Sequence, residues 1–332
     1  FEAFAVPVDG SAAPIKVSGD IVDGGDVRNV LVSPDSATVV FRGDLVFDGL
    51  DQLFSAPITG GPRSQVSQPG GLQGPVRHGF EVTSDSSRVI FRRQQVIDTD
   101  TDLFTAPIAG GPVERLNDLL PPTGTVSTFE IAPDGSTVVF QSDMESADNV
   151  QLFAVPAAGG TPVRISSLQG GGIAIVPHAN VGSFQITPNG NHVVYRARQT
   201  FDTESSLFVV PIGGGTDPLE LSGPLQPDGS VGPYWVAPDS ERVVYRADQD
   251  ADQVGELYSV PISGGAPVKL NGALTNGGDV SSARISPDST RVVYKADQEV
   301  DDKRELYSVP IAGGPVTKLN GPLVDDADVD VY

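Results

Sequence analysis

Asp98, Asp100 and Asp102, and again Asp248, Asp250 and Asp252, place carboxylates at alternate positions, and Glu256 follows the second set. Hard cations such as calcium need several oxygens converging on one point, so this spacing suggests a weak calcium site, foremost at Asp248, Asp250, Asp252 and Glu256. The glycine and terminal glutamate of an EF-hand loop are missing at their offsets, so a merely solvated acidic loop is the other reading. No cofactor is certain. Of the three histidines, His78 stands beside Arg77 and His178 follows a Gly-rich apolar stretch, and these three residues are candidates for holding a small ligand. Nothing resembles a catalytic set. There is no cysteine to serve as nucleophile or thiolate ligand, no Gly-x-Ser-x-Gly elbow, and no glycine motif ahead of a helix to cradle phosphate.

The elements that carry these residues repeat. Pro7, Pro57, Pro107, Pro156, Pro211, Pro261 and Pro310 recur at a period of roughly fifty residues, the range of one propeller blade. Within the unit Ala283–Gly321, Ala283-Arg284-Ile285 is an extended run ending at a Pro-Asp turn, and Val292-Val293-Tyr294 is β-branched and aromatic as in a strand covered on both faces. Leu306 to Ile311 forms a third strand closed by the Gly313-Gly314 turn, and Val316 to Leu319 a short polar edge strand. No window has helical periodicity. The expectation is an all-β protein, a β-propeller of four-stranded antiparallel blades.

First strands are expected to begin near Val30, Phe80, Phe129, Phe184, Tyr234 and Ala283. Residues 29–322 then make six full blades, residues 1–28 the outer strands of a closing blade, and residues 323–332 its closing segment, all in a single domain 1–332. This predicts seven positions with a split, incomplete seventh blade; six blades plus an N-terminal hairpin is the alternative. The chain opens inside a strand, which suggests a processed or trimmed start.

Strands alternate direction, so the loops joining second and third strands share one edge with the links between units. Acidic residues crowd that edge, from Asp143 and Glu145 to Asp297, Glu299, Asp301, Asp302 and Glu305, with Asp20, Asp23, Asp26 and Asp279 in the links. Arg77, His78 and His178 are expected in links near the channel mouth of the propeller. Arg42, Arg92, Arg196, Arg246 and Lys295 follow the second-strand aromatic, and pairing them with Glu256 and Glu305 across strands is the structural expectation. The formal charge of −22 repels nucleic acid and anionic membranes and favours a basic or cationic partner. No apolar run is long enough to insert in a membrane.

Ile285-Ser286-Pro287-Asp288-Ser289-Thr290-Arg291-Val292-Val293-Tyr294, followed by Glu305 to Val309 and Gly313-Gly314, resembles the TolB-type propeller repeat over essentially the whole chain. Here serine usually stands where that repeat has glycine after Pro-Asp. The resemblance implies a periplasmic or secreted location and an interaction module, without residues that carry over a specific partner. The function expected is thus a non-enzymatic scaffold that binds a protein or small ligand through its acidic face. A carbohydrate-active lyase or hydrolase, using Arg77, His78 and His178 with nearby acids, is the alternative.

Overall fold

The computed structural model describes residues 1–67, 73–95, 100–121, 124–146, 149–166, 180–198, 205–323 and 328–329. All regular structure among them is β, and none of it is a helix that could cross a membrane. The chain divides into two compact units, Phe1–Arg164 and Ile165–Tyr332.

The first unit opens with a hairpin of β1 (Phe4–Ala5) and β2 (Ile15–Lys16). Three four-stranded antiparallel sheets follow: β3 (Val27–Val32), β4 (Thr38–Gly43), β5 (Gln52–Pro57) and β6 (Ser64–Gln65); β7 (Gln73–Val82), β8 (Arg88–Gln95), β9 (Thr101–Pro107) and β10 (Glu114–Arg115); β11 (Val126–Ile131), β12 (Thr137–Ser142), β13 (Gln151–Pro156) and β14 (Val163–Arg164). The second unit holds three more: β15 (Val181–Ile186), β16 (His192–Ala197), β17 (Ser206–Pro211) and β18 (Leu219–Glu220); β19 (Val231–Val236), β20 (Arg242–Ala247), β21 (Glu256–Pro261) and β22 (Val268–Lys269); β23 (Val280–Ile285), β24 (Arg291–Ala296), β25 (Glu305–Pro310) and β26 (Thr317–Lys318).

First strands begin at least three residues earlier than expected, at Val27, Gln73, Val126, Val181, Val231 and Val280. The reason is a bulge. Between Val126 and Thr128 the register slips by one residue and pairing then resumes, so the ladder continues past the point where apolar patterning ends. Residues 328–329 repeat the same start: the Val329 amide donates to the Arg304 carbonyl at 3.0 Å, as Val280 does to Gly255 at 2.8 Å. Residues 324–327 and 330–332, most of the expected closing segment, lie outside the described residues, as do His178 and the Gly-rich apolar stretch before it.

Each sheet carries one aromatic pair in direct register on its second and third strands, such as Phe140 opposite Phe153 and Tyr294 opposite Tyr307. The rings stack at 5.5 and 5.4 Å between centroids. These aromatics, with valines and leucines from the preceding sheet, form cores that lie between successive sheets of a unit. Val194, Leu207 and Val209 join Val243, Tyr245 and Tyr258 in one such cluster. Burying apolar faces against the neighbouring repeat is how a chain this long stays packed without one large core. Trp235 is part of this packing, against the cluster around Tyr294 and Tyr307.

The serine that replaces glycine after Pro-Asp, or after Ser84-Asp85 in the second repeat, has a role the sequence did not suggest. Ser86, Ser240 and Ser289 sit at φ of 59°, 64° and 58°, where a Cβ is strained, yet all three are buried. Their hydroxyls accept the amides of Asp35, Asn189 and Asp239 from the preceding repeat, each at 3.0 Å. The hydrogen bond offsets the backbone strain and ties turn to turn. Ser289→Ala keeps the strain and leaves the Asp239 amide without its partner, so it should cost about 1–2 kcal/mol. Ser289→Gly also loses the bond but relieves the strain, and should cost less than Ser289→Ala. Urea midpoints of the two variants in parallel check this order; a larger loss for glycine would refute it.

Candidate functional site

In each sheet the second–third loop and the start of the first strand share one edge. Val280 pairs with Ala296, and Ala296 with Glu305. The carboxylates described in these loops are in large part bound internally. Asp44 accepts the Asp26 amide at 2.7 Å and Asp143 the Thr125 amide at 2.6 Å, while Asp248 and Asp297 accept the amides of Ser230 and Asp279. The separation is 18 residues in all four cases, a spacing that could have been read from the sequence.

A second set of bonds takes up more of the expected calcium ligands. Lys269 pairs with both Asp250, at 3.4 Å, and Glu256, and Lys318 bridges Glu299 at 2.9 Å and Glu305 at 2.6 Å. Glu256 and Glu305 are buried and also accept the phenols of Tyr258 and Tyr307. The Glu305 carboxyl, pushed up by burial, is pulled down further by its bonds to Lys318 and Tyr307 and stays below the ordinary glutamate range. The second-strand cations are thus not the partners of these glutamates, contrary to expectation. Register places Arg246 opposite Leu257 and Lys295 opposite Leu306, one residue out of step with Glu256 and Glu305.

Asp252 is exposed and accepts only the Gln253 side chain at 3.2 Å. In the second repeat, Asp98 lies outside the described residues, and Asp100 and Asp102 are buried rather than presented on a loop. Asp102 is on β9, where it accepts the Asn117 amide group at 2.8 Å and lowers the cost of charge on Arg93. Among the described residues, one carboxylate oxygen each of Asp297, Asp301 and Asp302 lies within 4.8 Å of the others. Beside the Asp248 loop there is a cavity of about 150 Å³ lined by Ser230, Gly232, Arg246, Ala247, Asp248, Gln253 and Gly255.

The second-strand arginines serve as clasps between repeats. Arg42 donates to the Val76 carbonyl at 3.2 Å, Arg92 to Val126 at 3.3 Å and Arg196 to Val231 at 3.2 Å, in each case the start of the next sheet. Arg77 and His78 lie in strand β7, not in a link, and His178 is outside the described residues. They occupy a bulge larger than its counterparts. Val76 pairs with Arg93 and Phe80 with Phe91, so Arg77, His78 and Gly79 together oppose Arg92, where two residues do so in the third sheet. The signal was in the sequence: Val27-x-x-Val30, Val126-x-x-Phe129, Val181-x-x-Phe184, Val231-x-x-Tyr234 and Val280-x-x-Ala283 share a spacing that Val76-x-x-x-Phe80 exceeds by one. Gly79, at φ 82°, takes up the extra residue.

Four-stranded antiparallel sheets in tandem, with cores between successive sheets of each unit, define a β-propeller protein. The sequence matches no protein-family model and no curated protein. Among solved structures, the chain is similar to a putative dipeptidyl aminopeptidase IV from Bacteroides ovatus, with 12% identity, a TM-score of 0.56, and coverage of 90% of this chain and 47% of that one. A prolyl endopeptidase matches at 13% identity and a TM-score of 0.52, over 90% of this chain and 43% of that one. The chain thus spans less than half the length of either peptidase, and the likeness is one of fold. A putative TolB from Agrobacterium tumefaciens is also among the neighbours, at 16% identity and a TM-score of 0.39, covering 77% of this chain and 83% of that one.

Proposed function

We propose that this propeller is a non-enzymatic binding module, secreted or periplasmic, that docks a basic protein segment on its acidic loop edge. The observation that carries this reading is the set of exposed carboxylates on two consecutive loops of the second unit: Asp250, Asp252, Glu299, Asp301 and Asp302. Internal bonds hold Asp248, Glu256, Asp297 and Glu305 in place, and the outer acids project beyond that frame. Lys269 and Lys318 neutralise one outer acid each, so the net charge of each loop remains negative. An extended segment bearing several lysines or arginines matches a row of carboxylates better than a single calcium ion does, because the carboxylates are distributed along two loops.

The test is fluorescence anisotropy with a labelled lysine- and arginine-rich peptide at low salt, and with a peptide of the same length carrying no charge. Binding of the basic peptide alone, lost toward about 0.5 M salt, is expected, since exposed charges a Debye length apart are screened there. The variant Asp252→Asn/Asp301→Asn/Asp302→Asn should bind about tenfold more weakly, at roughly 0.5 kcal/mol for each exposed pair. Binding that ignores salt, or that survives this variant unchanged, would overturn the reading.

A further inference from the structure

We propose that the Arg77–Gly79 bulge, together with Arg42 and Arg92, is a binding site for an oxyanion: a carboxylate or phosphate group carried by a small ligand. It is independent of the acidic loop edge and calls for the opposite charge in its ligand.

Three features support it. The first is convergence. Arg42 reaches the His78 ring, with Nη2 at 3.3 Å from Nδ1, and Arg92 Nη2 donates to the His78 carbonyl at 3.1 Å. One residue of the bulge is thereby held from both sides by guanidinium groups of adjacent sheets. The second is an imbalance of charge. Arg42 has only Asp51 as a carboxylate partner, at 3.6 Å, and Asp51 is shared with Arg28. Arg92 spends its donors on backbone carbonyls, and among the described residues Arg77 has no hydrogen-bond or ion-pair partner. In a chain of net charge −22, acids were abundant, yet none of the described ones answers Arg77 or Arg92. Consistently, the Arg42 and Arg92 guanidiniums are made less basic, chiefly by burial and further by the charge of Arg77 beside them.

The third feature is unfilled hydrogen-bonding capacity. Arg42 is 3% exposed, and its Nε and that of Arg92 are buried without a partner. A buried donor without an acceptor is costly, and an arginine in that condition commonly marks a place where something else supplies the acceptor. The planar guanidinium fork matches two oxygens of a carboxylate or phosphate. Bulges re-aim side chains, and this one, larger than its counterparts, leaves Arg77 and His78 exposed on a strand otherwise committed to the sheet.

The experiment is isothermal titration calorimetry at low ionic strength, with citrate as the carboxylate probe and inorganic phosphate as the phosphate probe. Heat in the citrate arm alone assigns the ligand to carboxylates, heat in the phosphate arm alone to phosphates, and either supports the site. Arg77→Ala should weaken that binding by about tenfold or more, the usual effect of losing a charged hydrogen-bond donor. Arg88→Ala, at the far end of the same second strand, should leave it unchanged. Because Arg77 is exposed, Arg77→Ala should keep the wild-type melting temperature without anion while losing the rise that the anion gives the wild type. No heat with either probe at 20 mM (roughly the weakest affinity of use to a ligand site), or equal binding by Arg77→Ala, would overturn the proposal.

Discussion

Tyr294→Ala should destabilise the second unit by about 3–5 kcal/mol, the cost of removing a large, fully buried aromatic and leaving a cavity. Tyr294 is 0% exposed, stacks on Tyr307, and packs with Val244, Leu257 and Leu270 of the preceding sheet. The truncation thus damages a sheet and its junction with the preceding one together. Tyr294→Phe separates the two contributions. It keeps the ring and removes only the hydroxyl that donates to Gln298 at 2.9 Å, so about 1 kcal/mol is expected. Gln298 still accepts the Gly272 amide at 3.0 Å, so its oxygen is not orphaned. Burial pushes the Tyr294 phenol up to about 12, so this difference should be constant across neutral pH. Urea unfolding followed by far-ultraviolet circular dichroism measures both variants. A loss below 1 kcal/mol for the alanine variant would mean that the junction between these sheets contributes little to stability.

The second large effect concerns the buried carboxylate of Glu305. Lys318→Met removes its ion-pair partner and should cost about 2–3 kcal/mol at pH 7, below the full penalty for breaking a buried pair because Lys318 is itself part-exposed. Glu305→Gln in the same background should recover most of the loss, since the charge that lacked a partner is gone. The pH dependence has a definite sign. Glu305 has a lowered pKa in the folded state, so the stability from its ionised form is fully present above the unfolded value near 4.3, and is lost as pH falls through the folded value. Lys318→Met therefore should approach the wild type in stability at a pH below the folded value, where both carry a protonated Glu305. A deficit that persists unchanged at that pH would show that Lys318 acts through packing of its stem and not through charge.

The two predictions rest on parts of the molecule that differ in how readable they were. Strand order, the aromatic pairs and the covered second strand follow from patterns within about twenty residues, and Tyr294 and Tyr307 announce themselves by their place after two valines or a leucine. The partners of Glu305 were less legible. Alternation alone leaves open whether a carboxylate at the start of a third strand meets the second strand or the fourth. A one-residue difference in register decided for Lys318 over Lys295.

The candidate sites show the same division. That the second–third loops share an edge with the starts of the first strands is a consequence of strand parity and could be foretold. That Asp44, Asp143, Asp248 and Asp297 each fasten the start of their own first strand could have been noticed only by looking for the constant spacing of 18. The extra residue before Phe80 was visible too, but its meaning was not, because nothing local tells where Arg42 and Arg92 reach.

By itself, then, the sequence determined the all-β architecture and its repeat, because backbone propensity and turn chemistry act over a few neighbouring residues and are written there directly. Which charges are spent on holding the sheets together and which remain for a ligand was decided only by the tertiary structure. Those partners lie tens of residues apart, as Arg42 and Val76 do, and a side chain's effective charge depends on the burial and the acceptors that folding brings to it.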